Sequence, residues 1–146
     1  MLTITPTQLT KIQEHSLNDY PHECVGALLG TVDSATGHKF CIELITLENT
    51  STENKQRRFA ITDQDYKWLE EQAKDKQLSL LGFYHSHPDH PAKPSETDLK
   101  FAWPFFSYLI QSVNKETAID CLSYVLDVAT GQFVSEELVV KAVAEI

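Results

Sequence analysis

Apolar positions along the chain recur with two different periods. Leu9, Ile12 and Leu17 form a partial stripe at helical spacing. Thr5-Pro6-Thr7-Gln8 stands in front of it: Thr5 suits a cap, Pro6 the first turn, and Gln8 completes a capping box. Tyr20-Pro21 closes this first predicted helix. Val25 to Val32 is an apolar run of strand length that holds Gly26 and Gly30. Asp33 to Gly37 carries turn chemistry, and Phe40 to Leu47 is a second strand, so the two predict a hairpin. Asn49 to Arg58 is polar and loop-like. Thr62 as a cap, Asp63 and Asp65 in the first turn, and Tyr66, Leu69 and Ala73 behind them predict a second helix to Lys74. Leu78 to Tyr84 reads as a strand, and His85 to Pro94, with three prolines, as a loop. Ser95 to Ala102 starts a short helix that Pro104 stops. Phe106 to Val113, Ala118 to Asp127 and Gln132 to Val140 complete the strands, the last also able to turn helical. Asp127 to Gly131 repeats the D-x-A-T-G turn of Asp33 to Gly37, which is shared turn chemistry rather than an internal repeat.

At roughly 150 residues per domain, 146 residues predict one domain spanning 1–146. Helices interspersed with mostly hairpin-connected strands predict an α/β fold, a mixed sheet flanked by helices. The hydrophobic fraction is 42% and the charged fraction 23%, which excludes a disordered chain, a collagen-like fibre and a disulfide miniprotein. Lys and Arg number 12 against 21 Asp and Glu, a net charge of -9, so neither nucleic acid nor an anionic membrane is an expected partner. Cys24, Cys41 and Cys121 are odd in number and lack a C-x-x-C spacing, which predicts reduced thiols and a cytoplasmic location. No signal peptide is expected at Met1 to Ser16, and no apolar run reaches the ~18 residues of a membrane span.

The chemistry-bearing segment is His85-Ser86-His87-Pro88, followed by Ser95 and Asp98. His85 and His87 close a predicted strand, where i and i+2 share a face, so two imidazoles can share one metal ion. Asp98, one turn into the next helix, can add a carboxylate oxygen. Two nitrogens, one carboxylate and a fourth position left to water describe an open zinc site. Each part has a plainer reading. A single His-x-His is more often exposed decoration, and Ser95-x-x-Asp98 is a good capping box. The joint pattern arises by chance in roughly one such chain in a thousand. A Cys24 nucleophile with His22 or His15 is a weaker candidate, because proximity in sequence does not position a base. The three thiols read more simply as core residues. His90 fits no ligand slot, and the H-x-E with P-C-x-x-C signature of zinc deaminases is absent.

His85-x-His87-Pro88, seven residues from His87 to Ser95, and then Asp98 resemble the JAMM motif of the MPN+ (JAB1/MPN/Mov34) metallopeptidases. Pro21-His22-Glu23-Cys24-Val25-Gly26-Ala27-Leu28-Leu29-Gly30 is similar to the first strand of that family. Asn49-Thr50-Ser51 and Arg58-Phe59-Ala60-Ile61 resemble its middle region. The likeness runs from about Leu9 to Val134. It implies an MPN (cytidine-deaminase-like) sandwich, Zn2+ as cofactor, His85, His87 and Asp98 as metal ligands, Glu23 as general base and Ser95 as the residue that helps hold the oxyanion. Those roles suit the residue types: a carboxylate can carry a proton from water to a leaving amine, and a hydroxyl can donate to a developing alkoxide.

The resemblance implies a zinc-dependent peptidase or isopeptidase that cuts after the C-terminal Gly-Gly of a ubiquitin-like protein. The short stretch between His87 and Ser95 is similar to small prokaryotic members, which trim sulfur-carrier proteins of the ThiS/MoaD type. A non-catalytic MPN scaffold is the first alternative; the five site residues argue against it. A phage-tail or cell-wall-linked peptidase of the same fold is the second, and no fused cell-wall hydrolase domain supports it. Lys55, Arg57 and Arg58 form the densest basic run, either a solvated loop or a docking patch for an acidic tail.

Overall fold

The computed structural model describes residues 1–49 and 61–142. Residues 50–60 lie outside that description, and with them most of the predicted polar loop, the basic run of Lys55, Arg57 and Arg58, and nearly all of the middle region carrying the family likeness. The elements are β1 (Leu2–Ile4), α1 (Pro6–Asp19), β2 (Val25–Val32), β3 (Lys39–Leu47), α2 (Asp63–Asp75), β4 (Ser79–Pro88), α3 (Glu96–Lys100), β5 (Ser107–Val113), β6 (Ala118–Asp127), β7 (Gln132–Glu136) and β8 (Leu138–Val140). All eight strands join one sheet in the order β7-β6-β5-β4-β2-β3-β1-β8. It is mixed: β4 runs parallel to β5, and β1 parallel to both β3 and β8, while the other pairings are antiparallel.

Glu137 alone separates β7 from β8, yet these strands form the two opposite edges. At about 3.3–3.6 Å of reach per residue, the sheet must curl until its edges meet. The Leu2 N–H donates to the Glu137 carbonyl at 2.9 Å, tying β1 to that junction. The concave side is filled by α1. Ile12 there packs with Leu2, Ile4, Cys24, Leu28, Cys41, Leu81, Tyr84 and Leu109, drawn from strands right around the curl. On the convex side Leu69 and Ala73 of α2 pack against Ala27, Leu29, Leu80, Phe83 and Tyr108.

Each helix starts at a reciprocal cap, which satisfies backbone N–H groups that the helix itself cannot. Thr5 and Gln8 cap α1, Thr62 and Asp65 cap α2, and Ser95 and Asp98 cap α3. In β4 a register irregularity opposite Leu28 and Leu29 leaves Leu81 unpaired with β2. Beyond it Phe83, with the α2 residues, and Tyr84, with the α1 residues, take opposite faces. Alternation then places His85 and His87 on the Phe83 face and Ser86 on the Tyr84 face. Gly26 lies opposite Tyr84, and a β-carbon there would collide with the tyrosine ring.

Four details differ from the sequence reading. The strand does not stop at Tyr84: parallel pairing of His85 to Pro88 with Ile110 to Val113 carries it through four more residues. Pro88 takes the last position, where its missing N–H costs least. Leu2–Ile4 is a strand of three residues. Gln132 to Val140 divides into two strands and does not turn helical. The short predicted helix narrows to Glu96–Lys100.

Candidate metal centre

Glu23, His85 and His87 are all buried, at 3%, 1% and 6% exposure, and their ligand atoms lie within 4.8 Å of one another. The strand alternation of β4 aligns the two imidazoles, whose Nε2 atoms are 3.1 Å apart. Glu23 stands just before β2, whose Val25 pairs with His85. Its Oε1 is 3.8 Å from His87 Nε2. Asp98 reaches the same spot from α3: its Oδ2 is 3.3 Å from His85 Nε2 and 3.2 Å from His87 Nε2. The structure thus brings together four of the five residues singled out in the sequence. The fifth, Ser95, is exposed at the rim. Its hydroxyl accepts from the Asp98 N–H at 3.0 Å, while the Ser95 N–H donates to Asp98 Oδ2 at 2.9 Å.

The loop from Asp89 to Ser95 holds these groups in place. His87 Nδ1 lies 2.9 Å from the Pro91 carbonyl, which can only accept, so Nδ1 carries a proton and Nε2 is the nitrogen turned inward. Tyr124 donates to the Ala92 carbonyl at 2.7 Å, and the Asp89 N–H to the Val113 carbonyl at 2.8 Å, pinning the loop to β5 and β6. Tyr20 donates to Asp89 Oδ2 at 2.6 Å and links the segment before Glu23 to the same loop. Below the imidazoles, on their face of the sheet, Tyr66, Phe83, Phe106 and Tyr108 form an aromatic floor.

These residues fit a divalent metal ion. Two imidazole nitrogens and two carboxylates converge in a buried space, and such a set needs a cation or protons between its members. Glu23 Oε2 is buried with no hydrogen-bond partner among the described residues. Burial, together with the charge of Asp98, pushes the Glu23 carboxyl up to about 9. For Asp98 burial acts in the same upward direction, but the His85 charge and hydrogen bonds from His85, His87 and the Ser95 N–H hold its carboxyl well below the usual range. A cation in the site favours the ionised form of both. Imidazole nitrogens and carboxylate oxygens are donors that zinc, iron and manganese all accept.

The Cys24 nucleophile finds no support. Cys24 is fully buried, burial pushes its thiol up to about 11, and its Sγ contacts Ser16 Oγ at 3.6 Å. His15 is engaged elsewhere, its Nδ1 bonded to the Tyr84 hydroxyl at 2.7 Å. All three cysteines are free thiols. Sequence reasoning passed over Ser86 and Asn49, two buried side chains that contact the Glu23–Cys24 peptide. Ser86 had a signal, since alternation between two inward histidines points it at the opposite layer. Asn49 had none.

A curled mixed sheet with an α-helix on each face and a buried Glu-His-His group defines a JAB/MPN-type domain. The family described as prokaryotic homologues of the JAB domain matches residues 6–124, and the chain belongs to it. The chain is similar to a solution structure of a protein from Salinibacter ruber, at 36% identity and TM-score 0.72, over 97% of this chain and 92% of that one. It is also similar to a solution structure of a protein from Desulfitobacterium hafniense, at 26% identity and TM-score 0.83, covering 97% and 94%. A crystal structure of a JAB1/MPN domain protein from Archaeoglobus fulgidus shares the fold at 21% identity and TM-score 0.54, covering 94% and 97%. No curated protein matches the chain. Among the described residues no helix is long and apolar enough to cross a membrane.

Proposed function

We propose that this protein is a zinc-dependent peptidase or isopeptidase that hydrolyses the bond after the C-terminal Gly-Gly of a ubiquitin-like or sulfur-carrier protein of the ThiS/MoaD type. The observation that carries the proposal is the buried convergence of Glu23, His85, His87 and Asp98, with Asp98 Oδ2 within 3.3 Å of both imidazoles. His85, His87 and Asp98 would hold the zinc. When bound, zinc polarises the substrate carbonyl and lowers the pKa of water beside it.

The rest of the work falls to the chain's own groups. Glu23 takes a proton from the attacking water as its oxygen bonds to the carbonyl carbon. It then gives that proton to the departing nitrogen as the C–N bond breaks. Its buried setting makes it a good proton holder between those events. Ser95 uses a lone pair to accept from the Asp98 N–H, which leaves its O–H free to donate to the oxyanion. The Pro91 carbonyl fixes the His87 ring and its tautomer. Seven residues between His87 and Ser95 leave no segment there to grip a second folded protein, which favours a small carrier with a mobile tail.

The test is cleavage of a ThiS/MoaD-type carrier whose Gly-Gly end is extended by one residue, followed by mass spectrometry. The zinc-loaded protein should cut after the second glycine. Glu23→Gln should cut on the order of 10²–10⁴-fold more slowly with zinc still bound. Equal rates on Gly-Gly and Leu-Leu tails would reveal a general peptidase. Near-normal cleavage by Glu23→Gln would remove Glu23 as the base.

A further inference from the structure

We infer that Ser86 and Asn49 are a pair of positioning residues that grip one peptide unit, between Glu23 and Cys24, and so set the reach of the Glu23 carboxylate towards the His85–His87 pair. This rests on the catalytic reading above. A peptide unit is planar and rigid. The carbonyl of this one, that of Glu23, accepts from Asn49 Nδ2 at 2.9 Å. Its N–H, that of Cys24, donates to Ser86 Oγ at 2.8 Å. The plane is therefore held at both edges by side chains from two different strand regions. Ser86 is 0% exposed and Asn49 8%, so water does not compete for either bond.

The position of this unit in the sheet explains the need. The β2 ladder starts at Val25, paired with His85 on one side and Leu47 on the other. The Glu23–Cys24 unit lies just before it, where, among the described residues, cross-strand backbone bonds to its own carbonyl and N–H have ended. Asn49 follows β3 and Ser86 lies within β4, so each supplies from its side chain what the ladder no longer supplies. A further bond, from the Ser86 N–H to the Cys24 carbonyl at 3.2 Å, closes a two-way link between the neighbouring residues. Ser86 stands between the two histidines. The strand that presents the imidazoles thus also fixes the peptide from which Glu23 hangs, and the two halves of the site move together.

The experiment uses the full zinc-loaded chain carrying Ser86→Ala, Asn49→Ala or Ser86→Thr. Both alanine variants should lose about 10- to 10²-fold in kcat at unchanged KM, the cost of a misplaced catalytic group, with zinc content unchanged. Ser86→Thr keeps the hydroxyl and should restore most of the rate. In the Glu23→Gln background, Ser86→Ala should cost nothing more, since both act through one group. An activity-free readout runs beside these: the NMR order parameter of the Glu23 side chain should fall in both alanine variants and recover in Ser86→Thr. If Ser86→Ala fails to fold, Asn49→Ala loosens the same peptide from its other edge. A lower melting temperature with kcat and the order parameter unchanged would overturn the inference. A fall in the order parameter in a protein that cuts no Gly-Gly tail would uphold the clamp and sink the catalytic reading instead.

Discussion

The N-termini of α2 and α3 are built alike and are used differently. In α2 the Thr62 N–H donates to Asp65 Oδ2 at 2.8 Å and the Asp65 N–H to Thr62 Oγ1 at 3.1 Å. In α3 the corresponding distances between Ser95 and Asp98 are 2.9 and 3.0 Å. Asp65 is half-buried at most and has no imidazole beside it among its described hydrogen bonds. Asp98 has its side chain 8% exposed and faces two imidazoles from β4. The local motif is therefore neutral about function. What turns a helix cap into part of a polar centre is the strand it is set against.

Two pairs of substitutions at matched positions, and one pH titration, break or sharpen that contrast. The largest effect belongs to Asp98→Asn against Asp65→Asn. An asparagine oxygen still accepts the cap bond, so both helices should keep their starts. Asp98→Asn should lose at least about 10³-fold in cleavage, because the metal's several kcal/mol go with the carboxylate, whereas Asp65→Asn should cleave normally. Equal losses in steady-state kinetics would make Asp98 a cap and nothing more. Ser95→Ala against Thr62→Ala comes next. Each removes a cap hydroxyl and should cost about 1 kcal/mol in a denaturant titration. Only Ser95→Ala should also lower kcat, by on the order of 10²-fold; an unchanged kcat would take Ser95 out of the mechanism.

The smallest effect concerns protons in metal-stripped protein. Glu23 has an ordinary value of 4.5 when unfolded and about 9 when folded, so the folded state binds its proton more tightly. That contribution is complete below about pH 4.5 and drains away as pH rises to about 9. Asp98 acts oppositely: its folded value lies below 3.8, so its contribution is present above 3.8 and is lost on acidification. The melting temperature of the stripped protein should therefore fall as pH rises from about 5 to about 9, and Glu23→Gln should flatten the slope. A rising melting temperature across that range, or a slope that survives Glu23→Gln, contradicts the buried setting of Glu23.

Much of the site was legible because its parts are local. The i, i+2 spacing of His85 and His87 is a strand signal, and the Ser95-x-x-Asp98 spacing is a helix-start signal. Their meeting was legible only through the resemblance. Three prolines from Pro88 to Pro94 read as a loop, yet parallel pairing with β5 keeps the chain extended through Pro88. Leu2–Ile4 and Leu138–Val140 are three residues each, too short for a period to show, and they pair only because the sheet curls. Asn49 is one polar residue at the head of a polar segment. Its bond to the Glu23 carbonyl spans 26 positions and leaves no local trace.

The central claim is that His85, His87 and Asp98 hold a metal ion beside Glu23, and elemental analysis tests it most directly. Protein purified without chelators should contain about one zinc per chain, and Asp98→Asn and His87→Ala should contain far less while Asp65→Asn matches the wild type. A wild-type protein without metal that also takes up none when zinc is added would contradict the account.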